Sequence, residues 1–280
     1  MKITLKRRGN PSGQIKCLVY LKKDFTLKTT TNSTIISYDN YTIVYSSHTI
    51  TKWEMILQKQ LKLLAKKRLP FIHIPDGSFK INYCSFAKDF NYMQETKGQV
   101  FSIKNVAEVD ITKAYYYTAF NIGLIDETFF NHCMELRKDV RLRLIGSMAT
   151  CKVIREFKKG KVVNSNIEED IKLRRAWFYI CSIVDRCLRK CMEAIKDDFL
   201  FYWVDGIYYR YKNKDYSQDY NTKKIIRIFR RFNYKHKVIK CDEVFVDNRE
   251  TDIRLNVIKE GETKLFSVPK QEVVKYFNDE

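Results

Sequence analysis

Two acidic residues stand at the ends of strongly apolar segments and could do metal chemistry. Asp110 ends a β-branched segment, and Asp205 follows an almost wholly apolar run from Phe199 to Val204. An ionised carboxylate at the end of a buried strand is costly unless a positive charge lies beside it. A divalent cation supplies that charge, and carboxylates that hold two such ions about 4 Å apart can catalyse nucleotidyl transfer. The two acids therefore predict a site for Mg²⁺ or Mn²⁺.

The overall charge predicts a polyanionic partner. The 280 residues include 52 Lys and Arg against 33 Asp and Glu, for a formal net charge of +19. Such an excess favours nucleic acid through release of its counterions, although a basic surface can also serve solubility. The chain also has 18 Tyr and 18 Phe, which suit either base stacking in a single-strand groove or simple filling of strands. Composition alone does not separate these two uses of the aromatic residues.

The elements that must position the two acids mix strands and helices without strict alternation. A strand is predicted over 106–111, and two more over 199–205 and 207–211. A long amphipathic helix over 168–195 could pack across the face between them. Because strands that end side by side bring their last residues together, Asp110 and Asp205 are expected to be neighbours. The pattern predicts the α+β class with an antiparallel sheet.

The chain is expected to divide near residue 100. Residues 1–100 are predicted to form a basic, β-rich region with one amphipathic helix over 51–69, and residues 101–280 a second domain. Strands are predicted over 15–21 and 35–45, and a last short helix after Pro269. No segment has the length and apolarity of a membrane span or a signal peptide, so a cytoplasmic protein that binds no membrane is expected.

Three segments resemble motifs of family B DNA polymerases, and they occur in the same order as in that family. Asp110-Ile111-Thr112-Lys113-Ala114-Tyr115 resembles motif A, D-x-x-S-L-Y-P. The segment Leu144-Ile145-Gly146-Ser147-Met148-Ala149-Thr150 is a weaker echo of motif B, L-x-N-S-L-Y-G. Trp203-Val204-Asp205-Gly206-Ile207-Tyr208 resembles motif C, D-T-D-S-I-x, with Trp203 in place of its first Asp. The resemblance covers about half of the chain, from residue 106 to about residue 268.

This resemblance implies a palm-like antiparallel sheet with an RRM- or ferredoxin-like core. It implies that Asp110 and Asp205 are both the catalytic residues and the metal ligands. Tyr115 would lie under the sugar as a steric gate against ribose. The remaining implied roles are nucleotide binding by Lys138, Arg141 and Arg143 and nucleic-acid binding by Ser147 and Lys264. The motif B Asn and Tyr are absent, and nothing before residue 100 has the D-x-E pattern of a proofreading exonuclease.

Other interpretations of the same residues stay open at this stage. Trp203-Val204-Asp205-Gly206 also fits the Y-x-D-D element of reverse transcriptases with one Asp lost, although no S-Q-G element accompanies it. Asp110 could merely cap the following helix, and Asp205-Gly206 could be a hairpin turn. Tyr115 could be a core residue, and the arginines could belong to a solvated helix face. Glu108 or Glu243 could add a third ligand.

The residues together predict a minimal polymerase-like nucleotidyltransferase that depends on Mg²⁺ or Mn²⁺. Its expected partners are a DNA primer and template or a single strand, deoxynucleoside triphosphates, and replication proteins of a phage or mobile element. The first alternative is a degenerate palm that binds single-stranded nucleic acid without chemistry. The second is an interaction protein whose positive charge serves an acidic protein partner. The loss of an acid at Trp203 motivates the first alternative.

Overall fold

The chain packs into two compact units, each built from two separate segments. The computed structural model describes residues 3–8, 10–30, 33–46, 52–87, 100–247, 253–268 and 274–277. Unit 1 comprises Met1–His73 and Glu127–Trp177, and unit 2 comprises Ile74–Asp126 and Phe178–Glu280. These units interleave along the chain, whereas the predicted domains met once, at residue 100. That boundary between independently folding domains stays a prediction.

The predicted α+β class is confirmed, because the described residues form seven α-helices and mostly antiparallel sheets. The helices are α1 (Ser12–Tyr20), α2 (Lys52–Arg68), α3 (Ala114–Asn121), α4 (Glu127–Glu135), α5 (Lys138–Gly146), α6 (Ile171–Ile195) and α7 (Tyr220–Arg231). The first ten strands are β1 (Ile3–Arg8), β2 (Phe25–Thr29), β3 (Ser33–Tyr38), β4 (Tyr41–Ser46), β5 (Phe79–Asn82), β6 (Cys84–Phe86), β7 (Val100–Ile103), β8 (Val106–Ile111), β9 (Cys151–Lys158) and β10 (Lys161–Glu169). The others are β11 (Phe199–Trp203), β12 (Gly206–Arg210), β13 (His236–Cys241), β14 (Glu243–Asp247), β15 (Ile253–Lys259), β16 (Glu262–Val268) and β17 (Val274–Phe277).

Unit 1 contains a six-stranded sheet in the order β1-β4-β3-β2-β9-β10. Its strands pair antiparallel except for β1 and β4, which are parallel. A small apolar cluster, which includes Leu18 of α1, Phe25 and Ile36, covers one part of this sheet. Helix α2 packs beside α5, where buried Leu57, Leu61 and Ala65 follow the helical repeat.

Unit 2 is layered around a five-stranded antiparallel sheet in the order β13-β8-β12-β11-β6. One face of this sheet packs on helices α3, α6 and α7 through residues such as Val109, Leu188 and Phe229. The other face shares a second core with the sheet of order β16-β15-β14-β7. Because strand side chains alternate between faces, every second residue of β8 points away from the helices.

Several local predictions were wrong for identifiable reasons. Residues 15–21 were expected as a strand, but Ser12–Tyr20 is helix α1, because Ile15 and Leu18 also fit a helical face. Helix α6 begins at Ile171 rather than at residue 168, because the Asp170 carboxylate accepts the Leu173 backbone N–H at 3.1 Å and β10 occupies the preceding residues.

A further prediction concerns the C-terminal residues. The residues directly after Pro269, where a short helix was predicted, lie outside the described residues until β17, which pairs with β5. Among the described residues, no helix is long and apolar enough to cross a membrane.

Candidate active site

Strand β8 lies at the centre of its sheet and presents two carboxylates on one face. Val109 and Ile111 point into the core beneath the helices. Glu108 and Asp110, which alternate with them, point to the opposite face. Glu108 is almost fully buried, with 1% of its surface exposed, and Asp110 is partly buried. Asp110 does not cap α3, because Lys113 holds the N-cap position and no side-chain capping bond forms there.

The β11–β12 hairpin brings Asp205 to the same place. Gly206, the first residue of β12, pairs with Asp110 of β8. The Ile111 backbone N–H donates to the Asp205 carbonyl oxygen at 2.9 Å. The expectation that two acids remote in sequence become neighbours on one sheet therefore agrees with the strand pairing.

Asp205 sits in a tight two-residue turn whose backbone is strained. Trp203 pairs with Gly206, so Val204 and Asp205 form the loop of the hairpin. Val204 has a φ of +58°, a conformation that β-branched residues rarely adopt. Its N–H donates to the Tyr83 carbonyl at 2.7 Å, and the Asp205 N–H donates to the Trp203 carbonyl at 2.7 Å. Such strain costs on the order of 1–3 kcal/mol and concentrates at functional sites, so this turn marks Asp205 as a candidate.

Burial and the neighbouring charges both oppose ionisation of Asp110. Burial is the largest cause, followed by the carboxylates of Asp205 and Glu108. Together they raise the pKa of Asp110 from the ordinary 3.8 to about 7, against the opposing effect of Lys264 and Lys259. Crowded acids of this kind accept a divalent cation readily, because the cation removes their mutual repulsion.

Glu108 is held by two side chains. Its carboxylate forms an ion pair with Lys259 and accepts a hydrogen bond of 2.7 Å from the Tyr208 hydroxyl. A Cβ atom at Gly206 would lie 2.9 Å from Glu108 Oε1 and 3.5 Å from Asp110 Oδ1. Gly206 is therefore needed for space, because any side chain there would push the held Glu108 carboxylate aside.

Lys264 lies on the same side of the structure as the acids. Its ammonium lies 4.8 Å from the centre of the Phe266 ring, and its charge acts on Asp110. Phe266 in turn packs against Trp203, with ring centres 5.3 Å apart. Trp203, which stands where the polymerase motif has an acid, therefore contributes to an apolar cluster beside the site.

Tyr115 lies close to Asp205 at the start of α3. Burial, the Cys181 thiol and the Asp205 carboxylate raise the pKa of Tyr115 well above its ordinary value. Tyr115 also packs against the core formed by the sheet and its helices. The structure thus brings together Asp110, Asp205 and Lys264, and it places Tyr115 near Asp205 in the helix-side core.

The remaining predicted site residues belong to unit 1, and two of them, Arg141 and Arg143, have structural partners. Arg143 forms ion pairs with buried Glu54 at 2.7 Å and with Asp139 at 3.1 Å. The Arg141 guanidinium donates to the carbonyl of Leu136, just after α4. Lys138 is exposed at the first position of α5. A triphosphate would have to compete with two carboxylates for Arg143, so its predicted role in nucleotide binding has no support here.

Ser147 was predicted to bind nucleic acid, and Glu243 was considered as a third metal ligand. Ser147 is 3% exposed, and its hydroxyl oxygen has no hydrogen-bond partner among the described residues. A buried hydroxyl does not reach a nucleic-acid strand. Glu243 accepts a hydrogen bond of 2.5 Å from Ser102 on β7, whereas Glu108 is the third acid whose charge acts on Asp110.

Lys259 and Gly206 are site residues to which sequence reasoning gave no role. The sequence does contain an indication for Lys259. Along β15 it alternates in step with Leu255 and Val257, whose side chains are buried, so its side chain points to the same inner face. Lys264 faces the same side, because it pairs with Val257. Two lysines at otherwise apolar inward positions indicate an acidic counterpart in the opposing sheet.

Asp110 and Asp205 are the residues that could hold a divalent cation. Within the described residues, no group of three or more His, Cys, Asp or Glu side chains is arranged to hold a metal ion. Magnesium is commonly bound by one or two carboxylates, with the remaining positions filled by phosphate oxygens and water. Asp110 and Asp205 supply two carboxylates of that kind, and Glu108 forms an ion pair with Lys259.

Comparison with known proteins identifies no relative of this chain. No protein-family model matches the chain, and no match is found among curated proteins or solved structures.

Proposed function

We propose that the chain is a metal-dependent nucleotidyltransferase that resembles a minimal family B DNA polymerase and extends DNA. The observation that carries the proposal is the pairing of Gly206 with Asp110, together with the bond from the Ile111 N–H to the Asp205 carbonyl. These contacts put Asp205 beside Asp110. The charges of Lys259 and Lys264, from a second sheet, act on Asp110. DNA replication or repair in a phage or mobile element is the corresponding role.

The order of elements in unit 2 supports a palm-like core. Along the chain, β8, α6, β11, β12, α7 and β13 occur in the order strand, helix, strand, strand, helix and strand, with α3, α4, α5, β9 and β10 inserted between β8 and α6. In space the four strands lie in the order β13-β8-β12-β11. Apart from the inserted elements, this order matches the βαββαβ pattern of ferredoxin-like folds, with both helices on one face, which supports the proposed core. A palm uses the opposite face of the same core for chemistry, which is the face that carries Asp110.

Each residue of the cluster has a defined task in this proposal. Asp110 and Asp205 hold Mg²⁺ or Mn²⁺, which when bound would activate the primer hydroxyl and stabilise the triphosphate charge. Lys264 offers a cation to the phosphates of the primer end. Lys259 and Tyr208 hold Glu108 in place. Its negative charge beside Asp110 favours the binding of a cation by Asp110 and Asp205. Tyr115, beside Asp205, limits the space at the sugar.

Primer extension tests this proposal. The full chain is incubated with a labelled primer–template, deoxynucleoside triphosphates and Mg²⁺ or Mn²⁺, beside the variants Asp110→Asn and Asp205→Asn. Exposed Asp197 supplies a matched control, Asp197→Asn. The proposal expects extension by the wild type and the control, and at least a hundredfold loss in both site variants. The absence of primer extension by the wild type on DNA and RNA templates, or full activity of Asp110→Asn, would refute it.

A second candidate is a degenerate palm that binds single-stranded nucleic acid without chemistry. The packing of Trp203 against Phe266 favours it, because an apolar ring occupies the position of a motif C acid. This candidate expects salt-dependent binding that Asp110→Asn leaves unchanged, with no extension under any template condition. Binding and extension measured on the same protein preparation distinguish the two candidates.

A further inference from the structure

A small cationic cavity lies on the helical side of unit 2. It has a volume of about 320 Å³ and is lined by Arg186, Lys190, Ile228, Arg231 and Phe232. The first two residues are four apart on α6, so they share one helix face, and the other three belong to the C-terminal end of α7 and the residue after it. Among the described residues, no acidic side chain lines this cavity.

The three cations of the cavity are exposed and repel one another. Within the described residues, none of Arg186, Lys190 and Arg231 forms an ion pair, whereas other cations of the chain, such as Lys259, have carboxylate partners. Like charges that share a helix face destabilise one another. An anion in the cavity would relieve this repulsion, and guanidinium groups match the oxygens of a phosphate.

An aromatic wall fixes the geometry of the cavity. The Phe232 ring stacks on Tyr234, with ring centres 6.0 Å apart and planes at 12°. The Lys190 ammonium lies 5.7 Å from the centre of the Phe232 ring. This contact holds the lysine beside the two arginines, and the apolar wall formed by Phe232 and Ile228 suits the sugar that is attached to a phosphate.

The cavity is separate from the carboxylate cluster. Helices α6 and α7 pack on the face of the sheet that Val109 and Ile207 point to. Glu108 and Asp110 lie on the opposite face, by the alternation of β8. A ligand in the cavity would therefore be held by α6 and α7 on the helical side of the sheet, opposite the face that carries the proposed reaction site.

We propose that this α6–α7 cavity binds the phosphodiester backbone of a nucleic-acid strand, independently of sequence and of catalysis. Exposed cations bind a single phosphate weakly, but a polyanion that engages three of them gains from the release of its counterions. The cavity gives the chain a second nucleic-acid contact, which would hold a strand outside the reaction site. This inference does not depend on the nucleotidyltransferase proposal.

The salt dependence of binding tests the assignment. Fluorescence anisotropy of a labelled 30-nucleotide single strand is followed from about 50 to 400 mM NaCl with the full chain. The variant Arg186→Gln/Lys190→Gln/Arg231→Gln is compared with Lys104→Gln/Lys214→Gln/Lys240→Gln, which removes the same charge from exposed positions of the same unit. Because each phosphate contact on a single strand contributes about 0.7 to the log–log slope, the cavity variant should lose about 2 from it. The control should lose less than 0.5, an order-of-magnitude bound on the same scale.

Each other outcome also decides the question. Equal losses of salt slope in both triple variants would mean that binding follows net charge alone and would overturn the proposal. Unchanged binding in the cavity variant, or no binding by the wild type, would also overturn it. If the triple glutamine variant does not fold, Arg186→Lys/Arg231→Lys replaces it, and the proposal then expects weaker binding with an unchanged salt slope. Displacement of the strand by inorganic phosphate at matched ionic strength would assign the cavity to a lone phosphate instead.

Discussion

Replacing Asp110 by asparagine should remove a pH dependence from the stability of the protein. The Asp110 carboxylate is partly buried beside Asp205 and Glu108, and its pKa lies at about 7 in the folded chain. In the unfolded chain its pKa is the ordinary 3.8. The folded state therefore holds a proton on Asp110 in the range where the unfolded state has lost it.

The sign of the effect follows from this difference in proton binding. Below about pH 4 both states carry the proton, and Asp110 contributes no pH dependence. Between about pH 4 and 7 the folded state binds the extra proton, so the free energy of unfolding falls as the pH rises. At about 1.4 kcal/mol for each pKa unit, the difference corresponds to at most about 4 kcal/mol, fully lost above about pH 7.

Denaturant unfolding in EDTA measures this effect. The free energy of unfolding is determined between about pH 4 and 8 for the wild type, Asp110→Asn and the exposed control Asp197→Asn. The wild type and the control should lose stability with rising pH relative to Asp110→Asn, which should be about 2–4 kcal/mol more stable than the wild type at pH 8. Parallel curves for all three proteins would refute the conclusion that neighbouring carboxylates crowd Asp110.

Three further predictions follow from the same cluster and its surroundings. Gly206→Ala places a Cβ 2.9 Å from Glu108 Oε1 and should cost about 1–3 kcal/mol by denaturant unfolding, with loss of primer extension; wild-type values for both would contradict the close approach. Arg143→Met should lower the free energy of unfolding by about 2–3 kcal/mol, because buried Glu54 loses its cation; unchanged stability with a raised nucleotide KM would restore the triphosphate role. Tyr115→Val should raise ribonucleotide incorporation relative to deoxynucleotide incorporation by about tenfold or more, roughly 1.4 kcal/mol of discrimination, and an unchanged ratio would remove the steric gate.

The proximity of Asp110 and Asp205 was predictable because each ends a strongly apolar strand, and such strands lie side by side in one sheet. The α+β class followed from the same alternation of strand and helix patterns. The partner of Glu108 was not predictable, because Lys259 belongs to a different sheet whose packing the local sequence does not specify. Ser147 was assigned from a motif echo, which carries no information about burial.

The most direct test of the central claim is a Mn²⁺ titration of the full chain, followed by electron paramagnetic resonance with a deoxynucleoside triphosphate present. If Asp110 and Asp205 share a cation with the substrate, the wild type and Asp197→Asn should bind Mn²⁺ with equal affinity. Asp110→Asn and Asp205→Asn should each weaken that binding by about tenfold or more, roughly 1.4 kcal/mol. Wild-type Mn²⁺ affinity in both site variants would contradict the claim that these two acids form one metal site.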